Sequence, residues 1–195
     1  MKDIIENSTK RGISYEAYRK LVSTLLEEGK STGADQSDSL LNYSMLNDRR
    51  MKRLDKTIHL SEETLARVKD VTEPVTWLVL TEGWCGDAAQ TLPIINKIAD
   101  ESDYIDLKIV LRDEHEDLMN EFLTNGGKSI PKLIALNKNN DVIDSWGPRP
   151  STPTQMVADY KKEHGQLDAD FKKDLQVWYN KDKGKNTQED MMRLL

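Results

Sequence analysis

The run Val75-Thr76-Trp77-Leu78-Val79-Leu80-Thr81 constrains the chain more than any other stretch. Its β-branched, aromatic and aliphatic residues leave no polar face, which suits a strand buried on both sides. Such a strand needs a partner along each edge and a covering layer on each face, so the chain is expected to fold around a central sheet. Glu82-Gly83-Trp84-Cys85-Gly86 follows as a turn. From Asp87 to Asp100, Ala88, Leu92, Ile95, Ile98 and Ala99 recur at helical spacing, and Pro93 is expected to bend that helix.

The remaining pattern builds outward from this unit. Ile105–Leu111 reads as a second strand, and His115 to Thr124 as a helix ended by Asn125-Gly126-Gly127. Two βα units in succession favour parallel pairing of their strands. Leu133–Leu136 and Val142–Trp146 flank the polar loop 137–141 and read as an antiparallel hairpin. A helix pair, Thr154–His164 and Ala169–Tyr179, closes the chain. Ahead of the sheet, Ser14 caps a helix running through Glu28, a second spans Asp38 to Lys56, and a third starts after Ser61. The order βαβαββα predicts an α/β fold, a mixed sheet with helices on both faces. At 195 residues the chain suits one such domain with appendages. The expected division is an N-terminal helical extension, 1–70, a sheet domain, 71–165, and a C-terminal helical extension, 166–195.

Charge and cysteine content narrow the function classes. A formal charge of −6 argues against nucleic acid as a partner, because phosphate neutralisation needs a clustered basic surface. No apolar run is long enough to span a bilayer. The first seven residues, Met-Lys-Asp-Ile-Ile-Glu-Asn, mix charges where a secretory signal has an unbroken apolar segment, so no membrane is expected and the cytoplasm is the expected location. The single cysteine excludes an intramolecular disulfide and a Cys-rich zinc site. Neither metal nor cofactor is expected, and any sulfur chemistry belongs to Cys85 alone.

A cysteine between a buried strand and a helix N-terminus faces unpaired N–H groups and the positive end of the helix dipole, which favour thiolate. Asp87 opposes this. The helix end contributes about 0.3–1 kcal/mol, and a like charge ~4 Å away in water costs about 1 kcal/mol. The two nearly cancel, so the sequence leaves the acidity of Cys85 open.

The residues Trp84-Cys85-Gly86-Asp87-Ala88, with Pro93 later in the helix, resemble the thioredoxin family, whose hallmark is Trp-Cys-Gly-Pro-Cys with a proline at that later spacing. Ser129-Ile130-Pro131, directly before a strand, is similar to the family's cis-proline loop, and Gly147 falls where the family carries a glycine near the site. The resemblance covers roughly Thr72 to His164. It implies a thioredoxin-like fold, Cys85 as the catalytic nucleophile, and Trp84, Gly86, Asp87, Ile130, Pro131 and Gly147 as substrate-binding positions. It also implies a cis Ile130-Pro131 bond in contact with Cys85. The departures are as informative. Ala88 stands where the family has its resolving cysteine, and Val79 where it has the buried acid that deprotonates that cysteine.

The expected activity is therefore monothiol thiol-disulfide exchange, with an external thiol resolving the intermediate and protein disulfides or low-molecular-weight thiols as partners. The alternative is a non-catalytic module of the same fold that binds a protein or peptide beside Pro131. Iron–sulfur binding, as in monothiol glutaredoxins, is disfavoured because Gly-Asp-Ala after Cys85 does not match that group. Two other clusters read as solvated helix faces. His115 lies among acids that point in different directions on a helix. Arg49-Arg50-Met51-Lys52-Arg53, flanked by Asp48 and Asp55, reads as a solvated face rather than an anion site.

Overall fold

The computed structural model of the chain describes residues 1–195. In chain order its elements are α1 (Lys2–Arg11), α2 (Tyr15–Glu27), α3 (Asp38–Thr57), α4 (Glu62–Lys69), β1 (Val75–Thr81), α5 (Gly86–Ala99), β2 (Ile105–Leu111), α6 (Glu116–Glu121), β3 (Lys132–Asn137), β4 (Val142–Trp146), α7 (Ser151–His164), α8 (Ala169–Asp182) and α9 (Lys185–Met191). Ser14, Ser61 and Asp168 cap α2, α4 and α8, each accepting the backbone N–H three residues on.

The four strands lie in the order β2-β1-β3-β4. β1 is interior as expected, parallel to β2 and antiparallel to β3, and its Trp77, Leu78, Val79 and Leu80 are wholly buried. β3 and β4 form the antiparallel hairpin, with a register irregularity between Ala135 and Leu136. The link between α1 and α2 covers the free edge of β2, where Ile13 pairs with Ile109 through two backbone hydrogen bonds of 2.9 and 2.8 Å.

One continuous core joins the terminal segments to the sheet. Ile5, Tyr18, Val22, Met51 and Val68 from the first four helices, and Met191 and Leu194 from the C-terminus, pack in the same cluster as β1. Burying an aliphatic side chain of this size contributes about 1.5–3 kcal/mol, so these segments stabilise the fold that holds the site. A smaller cluster, Val157, Phe171, Leu175 and Tyr179, ties α7 to α8.

Three differences from the sequence expectation have physical causes. The helix expected over His115–Thr124 is only Glu116–Glu121, because Asn125 and Gly126 adopt positive φ and close a tight Thr124–Gly127 turn. α1 and α9 fall within the two helical extensions, but the sequence pattern does not delimit them as individual helices. His115 is buried rather than solvated: α1 packs over it, and Ser8 Oγ lies 2.9 Å from its Nδ1. Burial lowers the His115 pKa, with the nearby Arg11 charge adding to the effect.

Candidate active site

The site is assembled where β1 ends. Its turn is held from outside the sheet: Gly83 N–H donates to Thr32 Oγ1 at 2.8 Å, and Asn47 Nδ2 donates to the Gly83 carbonyl at 3.1 Å. Cys85 is the N-cap of α5, its Sγ accepting the Ala88 N–H at 3.4 Å. Lys132 pairs with Leu80, so the segment entering β3 passes beside the motif turn. The Ile130-Pro131 bond there is cis, and Cys85 S–H donates to the Ile130 carbonyl at 3.2 Å. Gly147, at φ +117°, presses on the same loop: a Cβ there would lie 2.1 Å from the Pro131 carbonyl oxygen. The Gly147-Pro148 bond is also cis, which the sequence reading missed.

The competition left open at Cys85 is decided by burial. Desolvation, seconded by the Asp87 charge, pushes the thiol up to about 12, and the N–H groups of α5 only partly offset them. The Ile130 carbonyl acts in the same sense, since it accepts from the thiol and repels a thiolate. Asp87 is itself mostly enclosed. Arg149 Nε lies 2.8 Å from its Oδ2, and Tyr179 O–H donates to its Oδ1 at 3.0 Å. Burial raises the Asp87 pKa, while Arg149 and Tyr179 pull it back.

Ala88 and Val79 are both buried, so neither a resolving thiol nor an acid occupies those positions. A buried acid that the sequence reading did not single out, Glu82, stands three residues before Cys85, with its carboxylate turned to Asp113 and Thr32 rather than into the cavity. It is fully enclosed, its Oε1 accepts the Asp113 N–H at 3.0 Å, and burial raises its pKa. An acid directly after an apolar strand was the available signal. Arg149 and Tyr179 were also missed; they reach Asp87 from distant parts of the chain, and nothing local marks them.

Cys85 opens onto a cavity of about 700 Å³ that Trp84, Gly86, Asp87 and Ile130 also line. Pro131 and Gly147 do not line this space; Gly147 packs against the Pro131 carbonyl and Lys132 of the same loop. Helices outside the sheet supply two walls: Leu40, Tyr43 and Arg50 from α3, and Leu175 and Gln176 from α8. α8 is anchored there by Gln90 Nε2 donating to Gln176 Oε1 at 2.9 Å and by Arg53 donating to Asn180 Oδ1 at 2.8 Å. The Arg112 guanidinium stacks 4.8 Å from the centre of the Trp84 ring. No group of three or more His, Cys, Asp or Glu side chains converges as a metal site would require, and no helix is long and apolar enough to cross a membrane.

A cysteine capping the helix that follows a central strand, with a cis-proline loop against its sulfur, defines a site of thioredoxin type. The chain belongs to the thioredoxin family, which it matches over residues 33–161. That match begins well before Thr72 and takes in α3 and α4. Among solved structures, it is similar to a protein of unknown function from Pseudomonas aeruginosa, with a TM-score of 0.64 at 14% identity over 96% of this chain and 93% of that one. It is also similar to an HIV epitope scaffold, with a TM-score of 0.54 at 18% identity over 88% of this chain and 95% of that one. Both likenesses concern the fold. No curated protein matches the sequence.

Proposed function

We propose that the protein catalyses monothiol thiol-disulfide exchange on low-molecular-weight disulfides, with Cys85 as nucleophile and an external thiol as the resolving group. The observation that carries this is the placement of the chain's single thiol on a solvent-connected cavity of about 700 Å³. That volume suits a small molecule. The walls from α3 and α8 narrow the approach for a folded protein substrate.

In the exchange, Cys85 Sγ attacks one substrate sulfur. The substrate S–S bond breaks as the mixed disulfide forms, and the thiol proton passes to the departing thiolate. An external thiol then attacks the mixed disulfide and restores the Cys85 thiol. With burial pushing the thiol up to about 12, only a small fraction carries the thiolate at pH 7, so exchange is slow there and its rate rises with pH. A reducing compartment such as the cytoplasm supplies the resolving thiols. The second reading, a non-catalytic binding module, is favoured by that same high pKa.

The two part on treatment with bis(2-hydroxyethyl) disulfide followed by removal of excess reagent and mass spectrometry. The wild type should hold one adduct until an external thiol is added, and Cys85→Ser should hold none. Ala88→Cys should discharge its adduct unaided, since a sulfur at that position lies within bonding reach of Cys85. A wild type that takes no adduct while folded overturns the exchange reading in favour of the binding module. A wild type that loses the adduct without added thiol contradicts the role given to the missing cysteine.

A further inference from the structure

The cavity over Cys85 is cationic in a chain of net charge −6. Six basic side chains line it, Arg50, Arg112, Lys128, Arg149, Lys172 and Lys173, against one carboxylate, Asp87. Three of the six have partners: Arg149 with Asp87 at 2.8 Å, Arg112 with Asp113 at 2.7 Å, and Lys128 with Glu116 at 3.0 Å. Arg50, Lys172 and Lys173 take part in none of the ion pairs of the fold. Arg50 is half-buried, and its guanidinium donates to the neutral Asn47 Oδ1 at 3.0 Å. Burial and the neighbouring Arg53 both lower its pKa, the mark of a cation enclosed without a counter-ion. The run 49–53 is therefore not wholly a solvated face: Arg50 turns into the cavity. Lys172 and Lys173 of α8, more than a hundred residues away in sequence, line the same cavity.

We propose that this cavity selects low-molecular-weight disulfides that carry carboxylates, pairing the anionic end with Arg50, Lys172 and Lys173 while the disulfide reaches Cys85. The proposal deepens the exchange reading and rests on it for the covalent step. A guanidinium presents a fork that matches a carboxylate, and a half-enclosed cleft lined by one sign of charge concentrates the opposite sign. In the covalent step one carboxyalkyl half joins Cys85 Sγ, and the other leaves as a thiolate that takes up the proton. An external monothiol then releases the bound half as a new disulfide.

The test compares three disulfides of similar length: 3,3′-dithiodipropionate, a dianion; bis(2-hydroxyethyl) disulfide, neutral; and cystamine, a dication. Each rate of adduct formation at Cys85 is divided by that compound's rate with 2-mercaptoethanol, which removes intrinsic reactivity. The dianion should lead the neutral compound by on the order of tenfold or more, with cystamine slowest, and the lead should shrink as salt is raised. Lys172→Gln with Lys173→Gln, both at exposed positions, should reduce the lead, and adding Arg50→Gln should reduce it further. Equal normalised rates, or a preference for cystamine, overturn the proposal. Calorimetry of Cys85→Ser with 3,3′-thiodipropionate, a thioether that cannot exchange, separates the two readings. Salt-sensitive binding lost in the lysine variant upholds the anion site even if no disulfide reacts, an outcome that removes only the exchange reading. Absence of thiodipropionate binding together with no reaction removes both.

Discussion

Asp87→Asn should speed alkylation of Cys85 at pH 7 by on the order of tenfold. The carboxylate is the second cause, after burial, of the raised thiol pKa, and its removal also frees the Arg149 charge to favour the thiolate. The Tyr179 hydroxyl keeps an acceptor in the amide oxygen, so the packing of α8 over the motif is retained. The sign of the pH dependence follows from Asp87 itself, whose pKa is raised by burial. Above that pKa the wild type carries the opposing charge and the variant does not. Below it both are neutral, so the ratio of their rates should close toward one as the pH falls. Iodoacetamide rates on both proteins across that range check this, and an unchanged or slower variant at pH 7 would show that burial alone sets the thiol.

Gly147→Ala should lose at least about 3 kcal/mol of stability, the range reserved for named backbone collisions. The added Cβ would lie 2.1 Å from the Pro131 carbonyl oxygen and 3.1 Å from its carbon, both backbone atoms that no rotamer change can move. Relief requires the Ile130-Pro131 loop to retreat, which withdraws the acceptor of the Cys85 thiol. Gly126→Ala is the control: it has φ +75° but open space around the Cβ, so only the left-handed penalty of roughly 1–2 kcal/mol applies. Urea unfolding of the two variants beside the wild type checks the difference. Equal midpoints would mean that the loop yields at little cost.

The parts of this molecule legible in sequence are those whose chemistry is local. Val75–Thr81 and Ile105–Leu111 emerge with the bounds read from their apolar runs. The turn carrying Cys85, the cis-proline loop and Gly147 come together as their resemblance to thioredoxins implies. α9 was invisible for a physical reason: it is buried through polar side chains rather than an apolar stripe. Asp190 Oδ2 accepts from Trp146 Nε1 at 3.1 Å and from the Ser151 N–H at 2.7 Å, while Asn186 Oδ1 accepts the Thr152 N–H at 2.8 Å. α1 has only Ile5 and Ser8 buried, too few for a helical period to register. Tyr179, Arg149, Arg50 and the lysines of α8 reach the site by tertiary packing alone, so their roles follow from geometry that no local pattern encodes.

Cys85 as a protected, solitary nucleophile is tested most directly by the rate of its mixed-disulfide formation with bis(2-hydroxyethyl) disulfide as a function of pH, read by mass on the folded wild type. The structure predicts that one adduct forms, and that its rate climbs about tenfold per pH unit through pH 10 without levelling, as a thiol raised to about 12 requires. A rate that levels near pH 8, or no adduct at any pH at which the protein stays folded, would contradict it.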